Sequence, residues 1–233
     1  MLYLILEGTK DEAVQIEAIR QNTYSIKFIE NPSEAAQLEA VRWHGCAIQY
    51  ISNPSEEVQF EAVRRNEHSI QYISNPSEEV QLVAVKLDGS SIQHISNPSE
   101  FIQLKAVSQD VNAIQYIKNP SEDVQLEAVK HDAYSIKFIE NPSEDVQLEA
   151  IRQNGYSLKY ILKYINNLSE AVQLEAVSQD GNAIQYISNP SEEVQLAAVK
   201  QNVKSILYFP IKPSKKAMNE AKRLALKEML ENI

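Results

Sequence analysis

The side chains able to do chemistry are few and poorly arranged for it. Four histidines, His44, His68, His94 and His131, and one cysteine, Cys46, are spread over 233 residues. An imidazole two residues from a thiol, as at His44 and Cys46, does not by itself set a base on a nucleophile, so Cys46 reads as a spectator. A metal centre needs ligands gathered at a set spacing, and neither His-Glu-x-x-His nor Cys-x-x-Cys occurs. The glycine-rich loops that cradle phosphates are missing as well, in a chain with five glycines. Glutamates are plentiful, but the same Glu recurs at one place in a repeated unit, and a helix-capping role explains it without catalysis. The residues point to a chain that is not an enzyme, with no catalytic, cofactor-binding or metal-ligating residues and no cofactor.

The elements that carry these residues are set by a repeat. Asn-Pro-Ser-Glu begins at Asn31, Asn53, Asn75, Asn97, Asn119, Asn141 and Asn189, and the step is 22 residues up to Asn141. Thr9-Lys10-Asp11-Glu12 is a variant copy; so is Asn167-Leu168-Ser169-Glu170, which starts 26 residues after Asn141 and 22 before Asn189. Counting the first residue of each copy as position one, nine repeats run from 9 to 210. The four histidines fall at four different positions of the unit, so stacking does not align them.

Each unit reads as a helical hairpin. The long arm is expected to start at the Asn, with Pro at the first helical position and Glu completing a capping box. Lys or Arg near its end, as at Arg42, Arg64 and Lys200, suits the helix dipole. Small or polar residues such as Asp180-Gly181 follow, and then a short apolar arm such as Ala183-Ile184-Gln185-Tyr186-Ile187. At 100° per residue the long arm has an apolar arc about 200° wide. One hairpin cannot bury so wide a face, and fixing its backbone costs roughly 1–2 kcal/mol per residue; stacking on neighbouring repeats does both jobs. The expected fold is therefore all-α, an α-solenoid of nine helical-hairpin repeats of 22 residues, one of them 26. Residues 1–8 are expected as an N-terminal cap, 9–210 as a single solenoid domain, and 211–233 as a capping helix with Ala217, Met218, Ala221, Leu224, Ala225 and Leu226 on its inner side.

Position seven is Gln in all nine copies, from Gln15 to Gln195, and is expected to form a ladder of amides bonded to the backbone of an adjacent turn. Position twenty is aromatic everywhere except His94 and is expected in the core, with any hydroxyl reaching the surface. In the irregular repeat, Tyr164-Ile165 is expected to take the ordinary place and Tyr160-Ile161 to be surplus. That junction is a place for a change of curvature, a hinge or self-association, or simply a tolerated local bulge.

The segment Glu-Val-Gln-Leu-Glu-Ala-Val-Lys-x-Asn, seen with one change in Glu193 to Asn202, resembles the first helix of leucine-rich-variant repeats. Those repeats pair an α-helix with a shorter helix and belong with HEAT and armadillo solenoids. It is also similar to uncharacterised repeat families of bacteria and their phages centred on Ala-Val-Lys-Gln-Asn-Gly. The resemblance covers residues 9–210 and rests on packing and capping residues, so it implies a fold and little about function.

Position sixteen behaves differently. It is Tyr24, Cys46, His68, Ser90, Asn112, Tyr134, Tyr156, Asn182 and Lys204 in turn. Repeat scaffolds read partners with such positions; neutral drift at an exposed turn is the alternative. Trp43, Leu87 and Phe101 also fall where the long arm should be exposed, and a lone Trp is a typical interface anchor. The candidate protein-binding residues are Tyr24, Trp43, His68, Asn112, Tyr134, Tyr156, Asn182 and Lys204. The tail from Ile211 carries six Lys/Arg and three Asp/Glu, leaving 16 basic against 29 acidic residues before it, a net of −13. That balance disfavours direct binding of nucleic acid, which needs a basic stripe, and favours a protein partner with a basic surface. A single cysteine and a start without a basic flank or cleavage site fit a cytoplasmic location, and no apolar run approaches the roughly 18 residues of a membrane span. The expected function is a non-catalytic protein-binding scaffold. The alternative is an acidic nucleic-acid mimic that inhibits a nucleic-acid-processing protein, with a phage-defence setting implied by the resemblance alone.

Overall fold

A computed structural model describes residues 9–231, so the expected N-terminal cap at 1–8 lies outside the described residues. The chain is an all-α solenoid, with no strand among the described residues. It forms two compact units, Met1–Pro120 and Ser121–Ile233. The first holds α1 (Glu12–Gln21), α2 (Glu34–Trp43), α3 (Glu56–Arg65), α4 (Glu78–Leu87) and α5 (Glu100–Gln109), each packed on the next. The second holds α6 (Glu122–His131), α7 (Glu144–Gln153), the short α8 (Ser157–Ile161), α9 (Glu170–Gln179), α10 (Glu192–Gln201) and α11 (Lys215–Glu231), with the long helices again packed in order. No helix among the described residues is long and apolar enough to cross a membrane.

The long helices start two residues later than the Asn cap predicts. The cap is the Ser of Asn-Pro-Ser-Glu: Ser33 Oγ accepts from the Ala36 amide at 3.2 Å and Ser143 Oγ from the Val146 amide at 3.4 Å, while Asp11 caps α1. Asn and Ser are equally good caps, and Ser wins because Asn-Pro is needed to turn the chain. Asn53, Asn97 and Asn119 have φ of 53°, 53° and 52°, a left-handed conformation that Asn tolerates better than other side chains. The Glu at the first helical position closes no capping box either. It accepts from the cap Ser of the following repeat, as in Glu34–Ser55 and Glu122–Ser143 at 2.5 Å and in Glu78–Ser99. Ser55, Ser77, Ser99 and Ser143 thus each cap their own helix and tie it to the preceding one.

The Gln ladder has the expected chemistry. Gln59 Nε2 donates to the Pro54 carbonyl at 3.0 Å, Gln103 to Pro98 and Gln147 to Pro142 at 2.9 Å, closing the turn in front of each helix. Gln15 Oε1 also accepts from the Ser33 amide at 2.9 Å, in the next repeat.

The short arm is a six-residue 3-10 helix in the regular repeats, as at Gly45–Tyr50 and Ala133–Phe138. With three residues per turn, positions eighteen and twenty-one share one side, and Ile26 with Ile29 or Ile136 with Ile139 turn it inward. The fully buried stripe of the long helix is narrower than its apolar arc. Val58, Ala62 and Val63 are wholly buried, whereas Phe60 at position eight is 40% exposed.

Two regions correct or sharpen the reading. In the irregular repeat Ser157, Leu158 and Ile161 take the buried places of the ordinary short arm, whereas Ile165 is half-buried, so residues 162–165 are the surplus and Tyr160-Ile161 is in register. A cavity of about 90 Å³ lies beside the insertion, lined by Leu162, Asn166, Leu168, Gln173 and Tyr186 among others. Leu168 stands where Pro is usual, yet its carbonyl still receives Gln173 Nε2 at 2.9 Å. At the end of the chain, Ala217 and Ala221 of α11 pack on Val199 with Leu196, Val203, Ile206, Phe209 and Leu224. The C-terminal helix packs on the last repeat through residues up to Leu224; Met218 and Leu226, expected on the inner side, are exposed.

Candidate protein-binding face

Position fourteen organises the turn that leads to the candidate residues. Asn66 ends α3 by donating its amide to the Ala62 carbonyl at 3.0 Å, and its Oδ1 then accepts from the His68 amide at 3.0 Å. Asp110 serves Asn112 in the same way, Asp132 serves Tyr134, Asn154 serves Tyr156, Asp180 serves Asn182 and Asn202 serves Lys204. His44 makes no side-chain cap bond. One side chain thus finishes the long helix and starts the short arm, and what it takes from position sixteen is the backbone N–H. Any residue except proline supplies that group, which is the physical reason why position sixteen varies.

The side chains freed in this way mostly face outward. Tyr24 is 44% exposed, Tyr134 42% and Tyr156 76%; His68, Asn112 and Lys204 are exposed, and Asn182 is half-buried. Some engage neighbours. Tyr24 meets Tyr50 of the next repeat edge-on at 6.2 Å between centroids, and Tyr134 meets Tyr160 in the same way at 6.1 Å. Positions sixteen and twenty of successive repeats therefore interleave into aromatic pairs. Asn182 Oδ1 accepts from Asn202 Nδ2 at 3.2 Å, and Asn112 Nδ2 donates to Asp110 Oδ1 at 3.1 Å, so these two amides are partly spent within the fold.

Trp43 stands apart from this column. It ends α2, is 62% exposed, and its indole donates to Glu39 Oε1 at 3.1 Å instead of meeting a position-sixteen side chain. Glu39 also accepts from Arg20 Nε at 2.8 Å; that guanidinium first, and then the indole, hold its carboxyl below the usual carboxylate range. The ring is thereby held in one orientation on the surface. Leu87 and Phe101 are exposed as expected, with Lys105 Nζ lying 5.5 Å from the Phe101 ring centre.

Position twenty, expected in the core, lies at the surface. Tyr72, Tyr116 and Tyr186 are 42%, 44% and 55% exposed, so these rings lie along the surface beside position sixteen. The signal was a column of aromatics at one repeat position, but an aromatic column marks a core and a surface stripe alike. Another juxtaposition joins two repeats. Glu67, His68 and Asp88 place two carboxylate oxygens and a ring nitrogen within 4.8 Å of one another. Compared with protein-family models, curated proteins and solved structures, the chain matches none.

Proposed function

We propose that the chain is a non-catalytic repeat scaffold that binds another protein through the face of its short arms. The observation that supports this best is the division of labour at position sixteen, where the fold uses the backbone amide and leaves Tyr24, His68, Tyr134, Tyr156 and Lys204 to solvent. With the position-twenty rings beside them, these residues give each of the two units a surface rich in Tyr, one of the residue types enriched among interface anchors. The partner we propose has a basic surface, since the residues before Ile211 carry a net charge of −13. A cytoplasmic setting agrees with the single free thiol, Cys46.

The test is affinity purification from cells of its source with the wild-type chain and a Tyr134→Ala/Tyr156→Ala double variant as baits. The reading expects one protein to be retained by the wild type and its yield to fall at least tenfold with the variant. Equal yield from both, with binding that weakens steeply in salt, would favour the alternative of an acidic mimic acting through the first-turn carboxylates.

A further inference from the structure

We propose that Glu67, His68 and Asp88 form a binding site for a divalent transition cation, zinc by its donor set. This goes beyond the scaffold reading and does not depend on it. Glu67 and His68 open the short arm of repeat 53–74, and Asp88 is the position-fourteen cap of repeat 75–96. Their three ligand atoms lie within 4.8 Å of one another, and His68 Nε2 is 3.7 Å from Glu67 Oε1. Ligands around a tetrahedral zinc at ordinary bond lengths stand about 3.4 Å apart, so small rotations of side chains close the set. The freedom for those rotations is present, because the side chain of His68 is 54% exposed and that of Glu67 32%.

The donors select the ion. An imidazole with two carboxylates suits zinc or a similar first-row cation, while magnesium prefers oxygen and water. The two carboxylates bring negative charge that no Lys or Arg among the described residues pairs with. Asp88 is held in place from behind: Oδ1 accepts from the Ser90 amide at 2.9 Å and Oδ2 from the Ser90 hydroxyl at 2.7 Å. Each oxygen keeps a further lone pair, and such outer bonds orient metal ligands. The pair Glu-His at positions fifteen and sixteen occurs in this repeat alone. Three protein ligands leave a fourth position for water or a partner's side chain. The cation would also cross-link two successive repeats on the proposed binding face.

Isothermal titration of the full chain with zinc chloride, with magnesium chloride as the comparison, tests this. The expected result is one zinc per chain, no response to magnesium, and a melting temperature that rises with zinc as binding to the folded state requires. His68→Ala should weaken zinc binding at least tenfold, and His131→Ala should leave it unchanged. Asp88→Asn should also weaken it at least tenfold while the metal-free melting temperature stays close to wild type, because Asn fills the same cap at Asn66 and Asn154. Zinc binding by His68→Ala at wild-type strength, or no saturable site in the wild type, overturns the proposal.

Discussion

The start of each long helix and the turn that follows it are built on opposite terms. At the helix start Ser, Glu and Gln recur, and their side-chain atoms hold the fold: Ser143 Oγ caps α7 and bonds Glu122, and Gln147 closes the Pro142 turn. At the turn, position fourteen does the capping and position sixteen contributes a backbone amide. At the helix start constancy marks side chains that the architecture consumes, and at position sixteen variation goes with side chains that it mostly leaves free; position twenty, constant yet mostly exposed, does not follow that division.

Gln147→Leu should cost the most, roughly 1–3 kcal/mol, because it leaves the buried Pro142 carbonyl without its donor; urea denaturation measures it, and an unchanged midpoint would separate constancy from structural need. Ser143→Ala should follow at about 0.5–2 kcal/mol through loss of the α7 cap and of the bond to Glu122. The preceding Asn gives a sharper contrast. Asn97 has φ 53°, so Asn97→Ser should destabilise by about 1 kcal/mol and Asn97→Gly should not. Were Asn97 the helix cap, serine would serve as well as asparagine. Tyr156→Ala should shift stability least, within about 0.5 kcal/mol, since the ring is 76% exposed.

How far these terms could be read in advance differs from residue to residue. The period of Asn-Pro-Ser-Glu declared an all-α repeat outright, and the Gln column declared its own bonds, because an amide inside an apolar arc has to find a partner. The cap was misplaced because Asn and Ser are both good caps two residues apart, and the backbone torsion that sets them apart is not written in residue type. The insertion is expected at Tyr160-Ile161 and lies one copy later: Leu158-Lys159-Tyr160-Ile161 is followed by an identical Leu162-Lys163-Tyr164-Ile165, and residue types alone do not distinguish the two copies. Burial of Leu158 and Ile161 settles it. Removing one Leu-Lys-Tyr-Ile copy, which gives the same sequence whichever copy is taken out, should leave the chain folded and close the cavity of about 90 Å³ beside Leu168, and a collapse of stability would show instead that the fold needs the extra turn. The meeting of His68 with Asp88 was hidden for another reason. Scanning for ligands aligned at one repeat position misses a contact that runs sideways from position sixteen of one repeat to position fourteen of the next.

The claim that matters most is that the short-arm face binds and the first-turn edge of the long helices does not. Site-specific photo-crosslinking measures this directly, with a benzophenone side chain at position 134 or 156 on one face and at position 123, the exposed Asp123 of α6, on the other. Positions 134 and 156 are expected to capture the same protein from cells of the source, and position 123 none. Capture from 123 with silence at 134 and 156 would contradict it and move the site to the acidic edge.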